Sequence, residues 1–183
     1  QQLFDYQIAK NNLETLNFLN VKYLIQTDKD GKEFPIANPE ANGNAWFVSQ
    51  VKLVHSADEE MKALDQFESK NVAVINAKEF EVKKTAFVKD SSATITLDSY
   101  QPKDLKYTSV NTNEGLAVFS EMYYKNGWNA YVDGKKVEYF QADYVLRALP
   151  VPAGKHSVEF KFEPQVVQTG STISLVSSIG IFL

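Results

Sequence analysis

The sequence predicts an α+β protein, with a small N-terminal α/β module of βαβ type followed by an antiparallel β-sandwich. Three observations carry this reading. Between two runs of strand formers, residues 46–54 (WFVSQVKLV) and 72–75 (VAVI), the tetrad Ser56-Ala57-Asp58-Glu59 forms a capping box that opens an amphipathic helix. Beyond Glu81 the helical period disappears, and short alternating runs follow one another at about ten-residue spacing, the pattern of a sandwich or barrel. Asp133-Gly134, set between two such runs, is a hairpin signal, because a two-residue type I′ turn needs positive φ at both positions.

The elements follow in order. Asn11 with Glu14 reads as a capping box with Asn in place of Ser, and Leu13, Leu16 and Leu19 as the apolar stripe of the helix it opens. Residues 21–25 (VKYLI) start a sheet, residues 28–31 (DKDG) turn, and residues 34–45 (FPIANPEANGNA) form an irregular loop. Residues 46–54 are apolar on both faces, as expected of a covered strand. The helix after Ser56 carries Met61, Leu64 and Phe67 on one stripe and Asp58, Glu59 and Glu60 in its first turn, where the helix dipole favours them. Residues 72–75 complete the βαβ unit.

In the second half, Ala93, Ile95 and Leu97 alternate with Thr94, Thr96 and Asp98. Further strands are expected at 105–110, 116–123 (apolar on both faces, hence central), 128–132, 135–139 and 144–149. In a final strand after the turn at 150–154, His156, Val158, Phe160 and Phe162 form the dry side and Ser157, Glu159, Lys161 and Glu163 the wet side. About eight strands between 81 and 164 suffice for two sheets, Ig-like or jelly-roll-like. The expected organisation is residues 1–80 as the α/β module, 81–165 as the sandwich and 166–183 as a tail.

The chain has 183 residues, 44% hydrophobic and 23% charged, enough to bury a core without staples. A net charge of −4 argues against nucleic-acid binding, which needs a basic face to neutralise phosphates. No cysteine is present, which excludes disulfides, thiolate metal sites and cysteine nucleophiles. The first residue is Gln1, without a leader, and both ends read as internal to a longer protein. Residues 165–183 carry no charge and grow more apolar towards Ile181-Phe182-Leu183. This stretch is either a final strand or amphipathic tail, or the first turns of a membrane helix, which needs about 20 apolar residues.

No catalytic or metal set emerges. His55 and His156 are far apart with no HxH or HExxH spacing, so each reads as a strand-end histidine. No GxSxG, GxGxxG or GxxxxGK[ST] occurs, so neither a hydrolase elbow nor a nucleotide cradle is expected, and no cofactor. Glu59-Glu60 reads as a solvated helix start. The residues that invite a ligand are Tyr123, Tyr124, Trp128, Tyr131 and Arg147, with Tyr139 beside them. Exposed Trp and Tyr on a sandwich can stack the apolar faces of sugars; the competing reading packs Trp128 into the core. Alternation puts Trp128 and Tyr131 on opposite faces. Arg147 shares a strand face with Val145 and Leu149, so it either faces water or is buried with a carboxylate such as Glu121, Asp133 or Asp143. A ligand or lipid-phosphate contact is the other option for it.

The runs GWNAYVDGK (127–135), ADYVLRALPVPAGKH (142–156) and EFKFEP (159–164) resemble signatures of the YfhO family of bacterial multi-pass membrane proteins. LNVKYLI (19–25), Asn38-Pro39 and GNAWFV (43–48) are similar to the same family, so the resemblance spans about 12 to 175. Asp143 departs from it, since Asn is the residue expected there. The resemblance implies a glycosyltransferase-like whole protein that takes sugar from a polyprenyl-phosphate carrier to a cell-surface polymer such as lipoteichoic acid. It implies that this chain is a non-catalytic extracytoplasmic domain at the outer face of the cell membrane, ahead of a last membrane helix beginning near Ser171. Its expected partners are the membrane portion of the same chain and a cell-surface glycan, with no nucleic acid and no nucleotide. The alternative is a purely structural or protein-interaction module without a ligand.

Overall fold

The computed structural model describes residues 1–164, with Ser177 beyond them. The expected start of a membrane helix therefore lies outside the described residues. Helix α1 (Gln2–Tyr6) and a 3-10 turn lead to α2 (Leu13–Phe18). The cap of α2 is Asn12, whose side chain accepts the Glu14 N–H at 3.1 Å. The expected cap, Asn11, instead takes a left-handed φ of 59° that closes the preceding turn, a conformation Asn tolerates. Moving the cap also moves the buried face. Thr15, Asn17 and Phe18 are buried, while Leu13 is 61% exposed, so the expected leucine stripe does not form.

Strands β1 (Tyr23–Thr27) and β2 (Glu33–Ala37) form a hairpin, so part of the predicted loop is strand. The side chain of Asp28 closes its turn by accepting the N–H groups of Asp30 and Lys32, each at 2.9 Å. Pro35 is tolerated because a two-stranded ribbon leaves an edge of each strand unpaired. This hairpin pairs with no other described strand, and Tyr23 and Ile25 are each 64% exposed.

The single strand predicted over 46–54 is two strands in two sheets, β3 (Ala45–Val48) and β4 (Gln50–Val54). The chain turns at Ser49, where the carbonyl of Asn71 accepts the N–H of both Ser49 (2.9 Å) and Gln50 (3.0 Å). Alternation cannot reveal such a break, because both halves are apolar. Helix α3 (Ala57–Ala63) follows, with Ser56 Oγ accepting the Glu59 N–H at 3.2 Å as the capping box predicts. The Glu59 carboxylate reaches back one residue further than expected, to the His55 N–H at 2.8 Å. Strand β5 (Val72–Asn76) then pairs parallel with β4, completing the βαβ unit.

The remaining strands are β6 (Thr94–Gln101), β7 (Asp104–Asn111), β8 (Gly115–Met122), β9 (Trp128–Val132), β10 (Lys135–Val137), β11 (Phe140–Ala142), β12 (Leu146–Val151) and β13 (Gly154–Phe162). They form two antiparallel sheets, β10-β9-β13-β7-β6 and β11-β12-β8-β3. The protein is thus α+β, a sandwich carrying a small α/β part. Strand β3 lies before residue 80 yet completes the second sheet. Short β11 was not foreseen, and β12 runs on through Pro150, which is exposed and faces Leu116.

The four-stranded sheet is covered on both faces. Towards the five-stranded sheet it buries Ala117, Phe119, Leu149 and Val151 against Leu105, Tyr107, Val158 and Phe160. On the other side Leu116, Val118, Leu146 and Ala148 meet Met61, Leu64 and Ile75 of the α/β part. This is why β8 reads apolar on both faces. The Asp133-Gly134 turn is as expected, with φ of 50° and 75°. Asp133 also pairs with His156 Nδ1 at 2.6 Å and accepts the Ser157 N–H at 2.9 Å, which gives His156 a structural partner.

The loop between β11 and β12 joins the layers. Asp143 and Tyr144 take left-handed φ of 50° and 70°, unusual for an aromatic residue. Asp143 exchanges two bonds with Val74: its N–H donates to the Val74 carbonyl (2.9 Å), and its Oδ1 accepts the Val74 N–H (2.8 Å). The Tyr144 N–H donates to Glu60 Oε1 at 3.0 Å. Glu60 is therefore buried rather than solvated, a correction that follows from the sheet lying against its side of α3. Burial pushes Asp143 up to about 8 and Glu60 up to about 7, partly offset by these hydrogen bonds; Glu60 adds to the rise at Asp143, and Glu79 to the rise at Glu60.

A carboxyl raised in the folded state binds its proton more tightly there. Its stabilising contribution is complete below about pH 4, the unfolded value, and is lost as pH rises through its folded pKa. Asp143→Asn keeps an acceptor for Val74 and removes this titration. It is expected to unfold at a higher urea midpoint than the parent at pH 8, with the advantage vanishing near pH 4. An equal gain at both pH values would show that Asp143 does not titrate in this range.

Candidate functional site

The inward alternation of β12 places Arg147 inside the sandwich, in line with Leu149 and Val151, near the end where β8 hands over to β9. It is 3% exposed. Its guanidinium carbon lies 4.2 Å from the centroid of the Trp128 ring and 5.1 Å from that of Phe160. Nε donates to the Met122 carbonyl at 2.9 Å, and Nη1 is buried without a hydrogen-bond partner.

The expected ion pair is absent among the described residues. Asp133 is held by His156, Asp143 lies against Val74, and Glu121 influences Arg147 only from beyond ion-pair distance. Burial pulls the Arg147 pKa down and pushes the Glu121 carboxyl up; each partly restores the other's charge. Arginine nonetheless stays protonated in proteins. The charge is compensated by ring faces instead, an interaction worth about 2 kcal/mol when desolvated.

Three of the five predicted residues share this cluster. Trp128 is half-buried between Arg147 and Phe162, whose ring centroid is 5.5 Å away. Tyr123 packs on Phe80 at 5.7 Å and Tyr139 at 5.3 Å. The Tyr139 hydroxyl reaches the carbonyls of Tyr124 (3.3 Å) and Trp128 (3.4 Å). Tyr124 sits at the rim, with its side chain exposed.

Tyr131 lies apart on the outer face, as alternation requires. Its hydroxyl donates to Glu163 Oε2 at 2.7 Å, the same oxygen that accepts from Asn129 at 2.8 Å, and Lys161 stands 5.2 Å from its ring. Sequence reading missed Phe80, which sits in a segment without alternation, and the role of Phe160 as the second ring over Arg147. It also missed the Glu60–Asp143 pair.

A cleft of about 410 Å³ opens between α1 and α3, flanked by Tyr6 and Tyr144, with Asp58 and Lys62 on its wall; none of the five predicted residues lines it. Among the described residues no group of three or more His, Asp or Glu could hold a metal.

The stack makes a prediction. Arg147→Met keeps the length and removes the charge, so it should change stability by no more than about 1 kcal/mol. Arg147→Ala leaves a cavity and should cost about 2–4 kcal/mol. A double-mutant cycle with Trp128→Ala, followed by urea unfolding, should give a coupling of about 1–2 kcal/mol. Equal losses for Met and Ala would mean that a partner holds the charge itself.

Among the described residues no helix is long and apolar enough to cross a membrane. The family described as bacterial membrane protein YfhO matches residues 63–174, from the last residue of α3 through every sandwich strand except β3 and into the charge-free stretch. The N-terminal motifs that resemble the family, at 19–25, 38–39 and 43–48, lie ahead of the matched segment. No curated protein and no solved structure gives a significant match. With more than half of its length matched, including every strand from β6 to β13, the chain belongs to the YfhO family of bacterial membrane proteins.

Proposed function

We propose that this chain is a non-catalytic, extracytoplasmic accessory domain of a glycosyltransferase-like membrane protein. In this reading the whole protein glycosylates a cell-envelope polymer of the lipoteichoic-acid type, and the domain braces and orients the membrane portion of its own chain. The Arg147–Trp128 stack is the observation that carries it. Of the side chains that would form a binding platform, Trp128 and Arg147 are stacked on each other and engaged within the fold, where they join the ends of two sheets. A rigid end of this kind suits a brace. It stands beside Pro164, after which the sequence loses all charge.

A glycan contact is the second reading. It is favoured by Tyr124, a residue 55% exposed at the rim of the cluster. A sugar face stacked there would lie beside Tyr139.

Two measurements test these readings. On intact cells, a membrane-impermeant amine reagent should label the exposed Lys29 and Lys32 of the full-length protein. Labelling only after lysis would put the domain on the other side. In the full-length protein, Glu121→Gln, Asp58→Asn and His156→Asn should each keep sugar transfer within about threefold of the parent. A loss of about a hundredfold or more, the scale of general acid–base catalysis, would make the domain catalytic. For the second reading, binding to cell-surface glycans on an array should fall on Tyr124→Ala. Unchanged binding would remove Tyr124 as the contact.

A further inference from the structure

One end of the sandwich differs from the other in what it shows to its surroundings. Met122 ends β8, Trp128 begins β9, Phe162 ends β13, and the β6–β7 turn carries Pro102 and Lys103. The registers Phe162↔Trp128, Lys161↔Asp104 and Gln101↔Asp104 bring these residues to one end. The bond from Arg147 to the Met122 carbonyl and the Arg147–Trp128 stack join the second sheet to it. Here Tyr100 is 62% and Met122 61% exposed, and Tyr124 stands beside them. The opposite end carries the turns Asp133-Gly134-Lys135 and residues 111–114, with Val88, Val110 and Lys155 exposed beside them.

Two further observations name an occupant for the apolar end. Lys103 and Lys125 are exposed there and form no ion pair among the described residues. Among the nearby carboxylates Asp104 pairs with Lys106 and Glu163 accepts from Tyr131 and Asn129, while Glu121, half-buried beside Met122, lies near Arg147. The last described residues of the sandwich also lie here. The Glu163 N–H donates to the Gly127 carbonyl, and Pro164 lies against Gly127. Residues 165–183 then follow without a single charge. Tyr and Trp favour the membrane–water interface, and lysines near it are drawn to anionic lipids.

We propose that this end of the sandwich rests in the headgroup layer of the phospholipid bilayer. Tyr100, Met122 and Tyr124 enter the interface, and Lys103 and Lys125 meet lipid phosphates. The opposite end, with the Asp133-Gly134 hairpin, points into water. Arg147 does not touch lipid; it holds the two sheets in step so that one flat end is presented. The proposal rests on membership of a membrane-protein family and on this geometry, not on any glycan contact, so the two can fail separately.

The chain has no cysteine, which makes the test direct. Single cysteines at Tyr100, Tyr124 and Lys135 of the 183-residue chain would carry nitroxide labels. The vesicles would be equal parts phosphatidylcholine and phosphatidylglycerol. On adding them, labels at 100 and 124 should gain oxygen accessibility and lose accessibility to a nickel chelate, each at least about twofold, while the label at 135 stays unchanged. Lys103→Gln and Lys125→Gln should each weaken partitioning about fivefold at low salt, the effect of roughly 1 kcal/mol per lysine. The proposal is overturned if labels 100 and 124 stay as wet on vesicles as in solution. It also falls if label 135 is the one immersed, or if both lysine variants partition like the parent, as they would if the charge-free stretch alone held the chain.

Discussion

The four-stranded sheet β11-β12-β8-β3 has structure packed on both of its faces, and the rest of the molecule is arranged to supply that cover. From Gly115 to Phe119 every residue of β8 is buried, whichever face it points to. A sheet of this kind cannot stand alone in water. Its burial is worth about 25 cal/mol per Å² of apolar surface, and that gain is realised only when both neighbouring layers are in place. One layer is the five-stranded sheet. The other is α3 with β4 and β5, supplied by the N-terminal part of the chain. The turn at Ser49 follows from this constraint, since one stretch of chain must give a strand to the sandwich and the next strand to its cover.

Closing polar and charged groups between such layers has a cost, and the protein meets it in two ways. Arg147 keeps its charge and is surrounded by ring faces and one carbonyl. Glu60 and Asp143 are instead pushed towards their neutral forms, because burial disfavours the carboxylate and a neighbouring acid adds to it, Glu79 for Glu60 and Glu60 for Asp143. The first solution stiffens the end of the sandwich that carries Trp128 and Phe162. The second joins the sandwich to the α/β part through a loop whose two left-handed residues are held by Val74 and Glu60. Neither arrangement resembles a site built to bind a ligand, since the polar atoms point into packed structure.

Much of the fold was legible. The Ser56 cap, the parallel pair around it, the Asp133-Gly134 turn and the alternation of residues 156–162 rest on local rules of three or four residues, and each appears where expected. Reading failed where two local signals competed. Asn11 and Asn12 both suit a cap, and only the preceding turn decides between them. Residues 34–37 contain Pro35 and look like loop, yet in a ribbon with a free edge a proline is harmless. At the candidate cluster, Trp128 and Tyr131 were rightly assigned to opposite faces, but the partner of Arg147 was not found. Charge complementarity points to carboxylates, whereas the structure supplies aromatic rings, because rings from strands far apart in sequence cannot be matched by spacing.

By itself the sequence determined the class of fold, the family to which the chain is similar and the hydrophobic faces of most strands, because periodicity and turn chemistry are properties of neighbouring residues. Only the tertiary structure decided which apolar faces meet, that residues 46–54 serve two sheets, that Glu60 and Asp143 lie buried together and that Arg147 is stacked between Trp128 and Phe160. Those facts depend on groups brought together from distant parts of the chain. Their energies come from desolvation and contact, which exist only once the layers close.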